Sequence, residues 1–300
     1  MAVPLALAAT GAVNYLGEFQ TLAKSGMMFN GDIGAQVMSN MWEMCKSAPT
    51  KSNTPFSHVF IHDKIAKEFD GDNLSDWVQK LDNHMVTACT MAVRDLKLWL
   101  KEHGADYLTW DKVESIFNNC DYIVKDDASA KRINDIKIYD EVNWFRFDGS
   151  PDECRKREII TWFKDLFNKE GEQAVLDNSV IVQEGTLDRL ASIAAETGAA
   201  VKDPASLFVA TDKRSDKVME IGVIRFPRRE DPYIKLFRLE IFAFFKSSRI
   251  LVGQRDQAGF EIEYNSVQFK PNKRVVDGIA EEFVEKAREK LKDPKTFEGW

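Results

Sequence analysis

Between Ser206 and Lys270 apolar residues crowd into five closely spaced segments, and the chain predicts a β-strand for each. They are Ser206–Asp212, Lys217–Phe226, Tyr233–Lys246, Arg249–Asp256 and Phe260–Lys270. The stretches between them, Lys213–Asp216, Pro227–Pro232, Ser247-Ser248 and Gln257–Gly259, are polar or carry Gly and Pro, as turns do. Connections this short join antiparallel neighbours, because a parallel return needs a crossover of roughly a dozen residues. The third segment is apolar at odd positions (Tyr233, Phe237, Leu239, Ile241, Phe245) and at even ones (Ile234, Leu236, Phe242, Phe244). A strand with one wet face alternates, so this one is expected to be covered on both faces.

Elsewhere the period is helical. Leu74, Trp77, Val78, Leu81, Met85 and their successors to Leu100 form one apolar stripe, with Asp72 or Asn73 as N-cap and Gly104 as the stop. Shorter helices are expected over Ala12–Met44 (broken near Gly26 and Gly31), Asp111–Asn118 capped by Thr109, and Val275–Leu291. Ser150-Pro151-Asp152-Glu153 opens another, with Ser150 as N-cap, that runs to Lys169 before Gly171; Thr186 opens one that Gly198 closes. Val59–Ile65 reads as a short strand, and Ile133–Phe147 as a strand with a break at Asp140-Glu141.

Strands and helices are thus segregated, which points to α+β: a three-layer α/β/α sandwich around a largely antiparallel sheet. One domain over residues 1–300 is expected, an N-terminal helical extension to about residue 125 packing on a sheet-containing core from about 130 to 292. Two separate domains, divided near Asp126–Lys131, are the other arrangement the pattern permits.

A net charge of −7 argues against nucleic acid as the main partner. The four cysteines, Cys45, Cys89, Cys120 and Cys154, form no C-x-x-C pair and are expected to be reduced. No apolar run is long enough for a membrane span, and Met1–Ala12 lacks the basic start of a signal peptide. A soluble protein made in the cytoplasm is the expectation.

From Ile159 to Pro271 the chain resembles the Cyt-type cytolytic δ-endotoxins, their fungal volvatoxin-like relatives and, more distantly, an acylated bacterial virulence factor. The resemblance lies in a helical pair, Glu153–Lys169 and Thr186–Thr197, followed by long antiparallel strands. It is closest over Leu239-Glu240-Ile241, Arg249–Asp256 and Phe260–Phe269. It covers somewhat over a third of the chain and rests on strand order and scattered identities. The resemblance implies a helix–sheet–helix sandwich, binding to lipid bilayers, and self-association into pores or detergent-like aggregates, with the helices moving aside to release the strands. It also implies crystalline inclusions, so a structural, self-assembling protein without toxic activity is the alternative.

On the lipid-binding reading the candidate lipid-facing residues are Phe237, Phe242, Phe244, Phe245, Ile250 and Val252, which would meet acyl chains once uncovered. Burial in the core of a layered fold already explains every one of these apolar residues, and Arg238 and Glu240 oppose insertion. Arg225, Arg228 and Arg229 form a basic loop suited to anionic headgroups, with Glu230 and Asp231 diluting its field. Cys154 lies in the first turn of a helix beside Arg155, Lys156 and Arg157, a setting that favours a reactive, acylated or cross-linking thiol.

His58-x-x-x-His62 has a metal-ligand spacing but no accompanying acid, and it falls in an extended stretch. Serine-hydrolase, P-loop and dinucleotide-binding motifs are missing from the sequence, so no enzyme activity, cofactor or metal is expected.

Overall fold

The structure is a computed structural model that describes residues 48–71, 74–144, 149–198, 209–250 and 253–272. Its elements are β1 (His58–Ile65), α1 (Asp76–His103), α2 (Trp110–Asn118), β2 (Ile123–Trp144), α3 (Glu153–Lys169), α4 (Gln173–Asn178), α5 (Val180–Gln183), α6 (Thr186–Ala194), β3 (Val209–Phe226), β4 (Tyr233–Ile250) and β5 (Gly253–Pro271). The fold is α+β. Five strands form one sheet in the order β1-β3-β4-β5-β2; β1 runs parallel to β3 and the other three pairings are antiparallel.

The five expected C-terminal strands are three long ones. Lys213–Asp216 lies inside β3, Ser247-Ser248 inside β4 and Gln257–Gly259 inside β5, each residue paired to a neighbouring strand. Their polarity has another cause: Asp216, Ser247 and Ser248 are buried, Asp216 faces Arg189 of α6, and Arg214 faces Glu196 just after that helix. Gly259 is a glycine because a side chain lies across it; a Cβ there would come within 2.3 Å of the Phe244 ring. The two remaining strands are β1 and β2. β2 continues through Asp140-Glu141 without a break, and Asp126–Lys131 is a bulge within it, where Ser129 Oγ accepts from the Gln268 amide at 2.7 Å.

β4 is buried throughout, from Ile234 to Arg249. Its even residues Ile234 and Leu236 join a core cluster with Met85, Cys89, Leu96 and Leu100 of α1 and Phe117 of α2. Its odd residues Phe237, Leu239, Ile241 and Ala243 join another with Ile159, Phe163 and Phe167 of α3 and Leu190 and Ala194 of α6. Neighbouring residues of a strand point to opposite sides, so the two helical groups draw on different faces of β4.

Helix ends follow local chemistry. Gly104 stops α1 at φ 84°, and Thr109 caps α2 by accepting from the Lys112 amide. Ser75 is the α1 N-cap; Asp72 and Asn73 lie outside the described residues. At α3 the N-cap is Asp152 and not Ser150, because its carboxylate reaches the Cys154 and Arg155 amides at 2.8 and 3.1 Å. α4 and α5, six and four residues long, are too short for a periodic signal and were not expected. The expected helices Ala12–Met44 and Val275–Leu291 lie outside the described residues, as do Met1–Ala12, Cys45, Phe145, Phe147 and the expected strand's start at Ser206. No helix among the described residues is long and apolar enough to cross a membrane.

Candidate functional site

The expected lipid-facing residues come together on β4. Phe237 and Phe245 are fully buried; Phe242 and Phe244 stack with ring centroids 5.5 Å apart and are nearly so. Phe237 lies across Gly222, its partner on β3, with the His62 ring edge-on to it at 5.9 Å. By residue parity Phe242 and Phe244 face one side of the sheet and Phe237 and Phe245 the other. Ile250 ends β4, and Val252 lies outside the described residues.

The three arginines separate. Arg225 and Phe226 belong to β3 and not to the loop, and Arg225 is buried against Asp63 of β1 and Asp82 of α1, the latter at 2.7 Å. Arg225 therefore presents no free charge to a headgroup: its guanidinium is used up in joining α1 to two strands. Arg228 and Arg229 are exposed. Arg228 pairs with Glu68 at 3.1 Å and lies near the stacked Phe226 and Tyr233 rings.

The pairing of Arg225 is one of several links between helices and sheet among the described residues. Glu220, fully buried on β3, takes His62 Nε2 at 2.6 Å and the Ser179 hydroxyl at 2.6 Å, and accepts from the Val180 and Ile181 amides at the start of α5. Glu172, between α3 and α4, is met by Lys235 of β4 at 2.8 Å, the Tyr264 hydroxyl of β5 at 2.6 Å and Lys131 of β2 at 2.9 Å. Burial by itself would raise the Glu172 carboxyl; the charge and hydrogen bond of Lys235, with those from Tyr264 and Lys131, outweigh it and hold the group below its ordinary value. The same arrangement drives the Tyr264 phenol well up, through burial first and then the adjoining carboxylate. At the far end of β3, Arg214 pairs with Glu196 just after α6, and Arg189 of α6 with Asp216. Burial pushes the Glu196 carboxyl up to about 7, Asp212 adding to the rise and Arg214 opposing it.

Two charges in the middle of β4, Arg238 and Glu240, are also matched. Glu240 lies 3.0 Å from Lys51 and 3.6 Å from Lys217, and Arg238 lies 3.3 Å from Glu263 and bonds to Glu240. Charges in the middle of an apolar strand were the available sequence signal for this network. Glu172 and Glu220 gave none, since only the fold brings their partners to them.

Cys154 is exposed and sits on the rim of an open groove of about 600 Å³ between α3 and β2, with Trp162, Leu166 and Lys137 among its walls. The Arg157 guanidinium donates to its Sγ at 3.4 Å. Cys89 and Cys120 are free and buried; burial raises both thiols. His58 and His62 share one side of β1, where His62 engages Glu220 and the His58 ring lies 6.0 Å from Phe60. Among the described residues no group of three or more His, Cys, Asp or Glu is placed to hold a metal ion.

Long apolar strands thus pack against helices, and ion pairs and hydrogen bonds to buried carboxylates join the two. No protein-family model matches the chain, and no curated protein matches it in sequence.

Proposed function

We propose that this protein is a non-enzymatic, self-associating lipid-binding protein of Cyt-like architecture, in which helical layers on both faces of the sheet make a three-layer sandwich. The observation that carries the reading is β4: eighteen residues long, apolar on both faces, buried from Ile234 to Arg249, and flanked by β3 and β5 of similar length. A membrane-crossing strand needs about 9–11 residues, so length is no obstacle once the helices lift.

Charge sets the depth. Lys235, Arg238, Glu240, Lys246 and Arg249 leave Ile241–Phe245 as the uncharged stretch of β4. Five residues span roughly 17 Å, less than the roughly 25 Å apolar band of a membrane barrel. A charge on the lipid face at mid-membrane costs about 2–4 kcal/mol. Engagement of one leaflet, with cytolysis by aggregates of strands, therefore fits these residues better than a lipid-exposed barrel.

Dye-loaded vesicles of phosphatidylcholine, with and without phosphatidylserine, test the reading. Binding and release are expected, stronger with the anionic lipid. Neither binding nor release on any composition would overturn it. The second reading is a structural, inclusion-forming protein on the same scaffold, favoured by the long edge strand β2. Ordered inclusions in expressing cells, together with inert vesicles, would select it.

A further inference from the structure

β2 is the edge of the sheet, and among the described residues no strand pairs with its outer side. Beyond the bulge its pairing with β5 is regular from Lys131 to Trp144. Native proteins blunt long edges of this kind with bulges, charges or covers, because an open ladder recruits another strand. Here the regular run leaves Ile136 and Ile138 exposed at 45% and 61%.

We propose that the occupant of this edge is a second copy of the chain, with the two β2 strands antiparallel about a two-fold axis through Ile136. The charges select that partner and that register. With Ile136 opposite itself, Asp135 faces Lys137 of the second copy, Arg132 faces Asp140 and Lys131 faces Glu141. Two-fold symmetry repeats the three pairs on the other side of the axis. Ile133 then falls opposite Tyr139, and Ile138 opposite Asn134.

The span of these pairs, residues 131–141, stays within the regular run and stops where the bulge begins. A parallel in-register stack would set Lys131 on Lys131 and Asp135 on Asp135, a like-charge arrangement that strands disfavour. The outer charges remain accessible: Lys131, Asp140 and Glu141 are 41–43% exposed. Contacts within the chain already orient them, Asp140 by Arg255, Glu141 by Arg155 and Lys137 by Glu158. Pairing joins two five-stranded sheets into one of ten strands and closes both open edges of β2. It specifies the self-association in the reading above but does not depend on lipid binding.

Sedimentation of the full chain without lipid, across micromolar concentrations, tests it. The 34.2 kDa chain is expected to associate to twice that mass. Asp135→Lys alone, or Lys137→Asp alone, puts like charges opposite each other on both sides of the axis, and association is expected to weaken roughly tenfold, about 1.4 kcal/mol. A mixture of the two single variants restores opposite charges at every such position, and so does the double variant; both are expected to associate like the unaltered chain. Circular dichroism separates loss of pairing from loss of fold, and a misfolded variant would not be rescued by mixing. An unaltered chain that stays monomeric, single variants that associate normally, or a mixture that fails to recover would each overturn the proposal, whatever the vesicle experiments give.

Discussion

Phe244 on β4 lies over Gly259, the residue directly opposite it on β5, so closely that no Cβ fits at position 259. Phe237 stands in the same relation to Gly222 on β3. Each ring closes over a gap in the adjoining strand, and the gap is set by the absence of one carbon. Gly222→Ala would press on both Phe237 and His62 and is expected to destabilise the fold by about 1–3 kcal/mol, the usual range for overpacking a core. Equilibrium denaturation measures it; an unchanged midpoint would show that the ring moves freely aside.

Arg225 joins β3 to β1 and α1 with little access to water. Arg225→Ala leaves Asp63 and Asp82 buried without their counter-charge, and the expected loss is about 3–5 kcal/mol. Hydrogen exchange should show α1 opening first. Protection lost evenly across the chain would deny Arg225 its place as the tie between that helix and the sheet.

The Glu196 carboxyl ionises near 7 in the fold against an ordinary 4.5, so the folded state holds its proton more tightly than the unfolded chain. Its contribution to stability therefore falls as pH rises from about 4.5 to about 7 and is level outside that window. Glu196→Gln removes this titration, so the stability of wild type minus that of the variant should fall across this interval and stay level outside it, read from denaturation midpoints at several pH values. Glu172 runs the other way: its carboxyl is held low, so its contribution is present above its ordinary value and is lost as acid protonates it. A wild-type-minus-variant difference isolates Glu196 from that opposing trend.

For anionic vesicles the exposed arginines and the buried one should behave differently. Each exposed cation near a charged bilayer is worth about 1 kcal/mol, so Arg228→Ala and Arg229→Ala should each weaken binding to phosphatidylserine-containing vesicles roughly fivefold. Added salt should erase the difference. Equal affinities for wild type and both variants would remove the loop from the membrane surface.

Cys154 is exposed while Cys89 and Cys120 are buried. A thiol reagent applied to the native protein should therefore modify one fewer group in Cys154→Ser than in the unaltered chain, and the two should differ likewise in palmitate labelling if the thiol is an acylation site. Non-reducing electrophoresis checks the cross-linking role. Identical results in all three would leave Cys154 as an ordinary surface residue.

Local patterns carried much of this fold. The stripe from Leu74 to Leu100, the cap at Thr109 and the stop at Gly104 each depend on residues within a few positions of one another, and they appear in α1 and α2 as expected. The apolar run of β4 likewise announced a strand buried on both sides. Polarity misled at Lys213–Asp216 and Ser247-Ser248, since a polar residue in a turn and a polar residue inside a long strand look alike along the chain. Arg225 was misplaced for the same reason.

Periodicity and capping act between near neighbours, so the amino-acid order alone established the long helix from Asp76 to His103, the capped helix after Thr109, the helix after Asp152 and that β4 must be covered on both sides. Three-dimensional packing settled the rest: that five apparent strands are three, that β1 and β2 complete the sheet, and that Glu172, Glu196, Glu220 and Arg225 meet their partners. Those meetings join residues as far apart as Asp63 and Arg225. The pairing energy of such charges depends on separation and burial in space, which distance along the chain does not report.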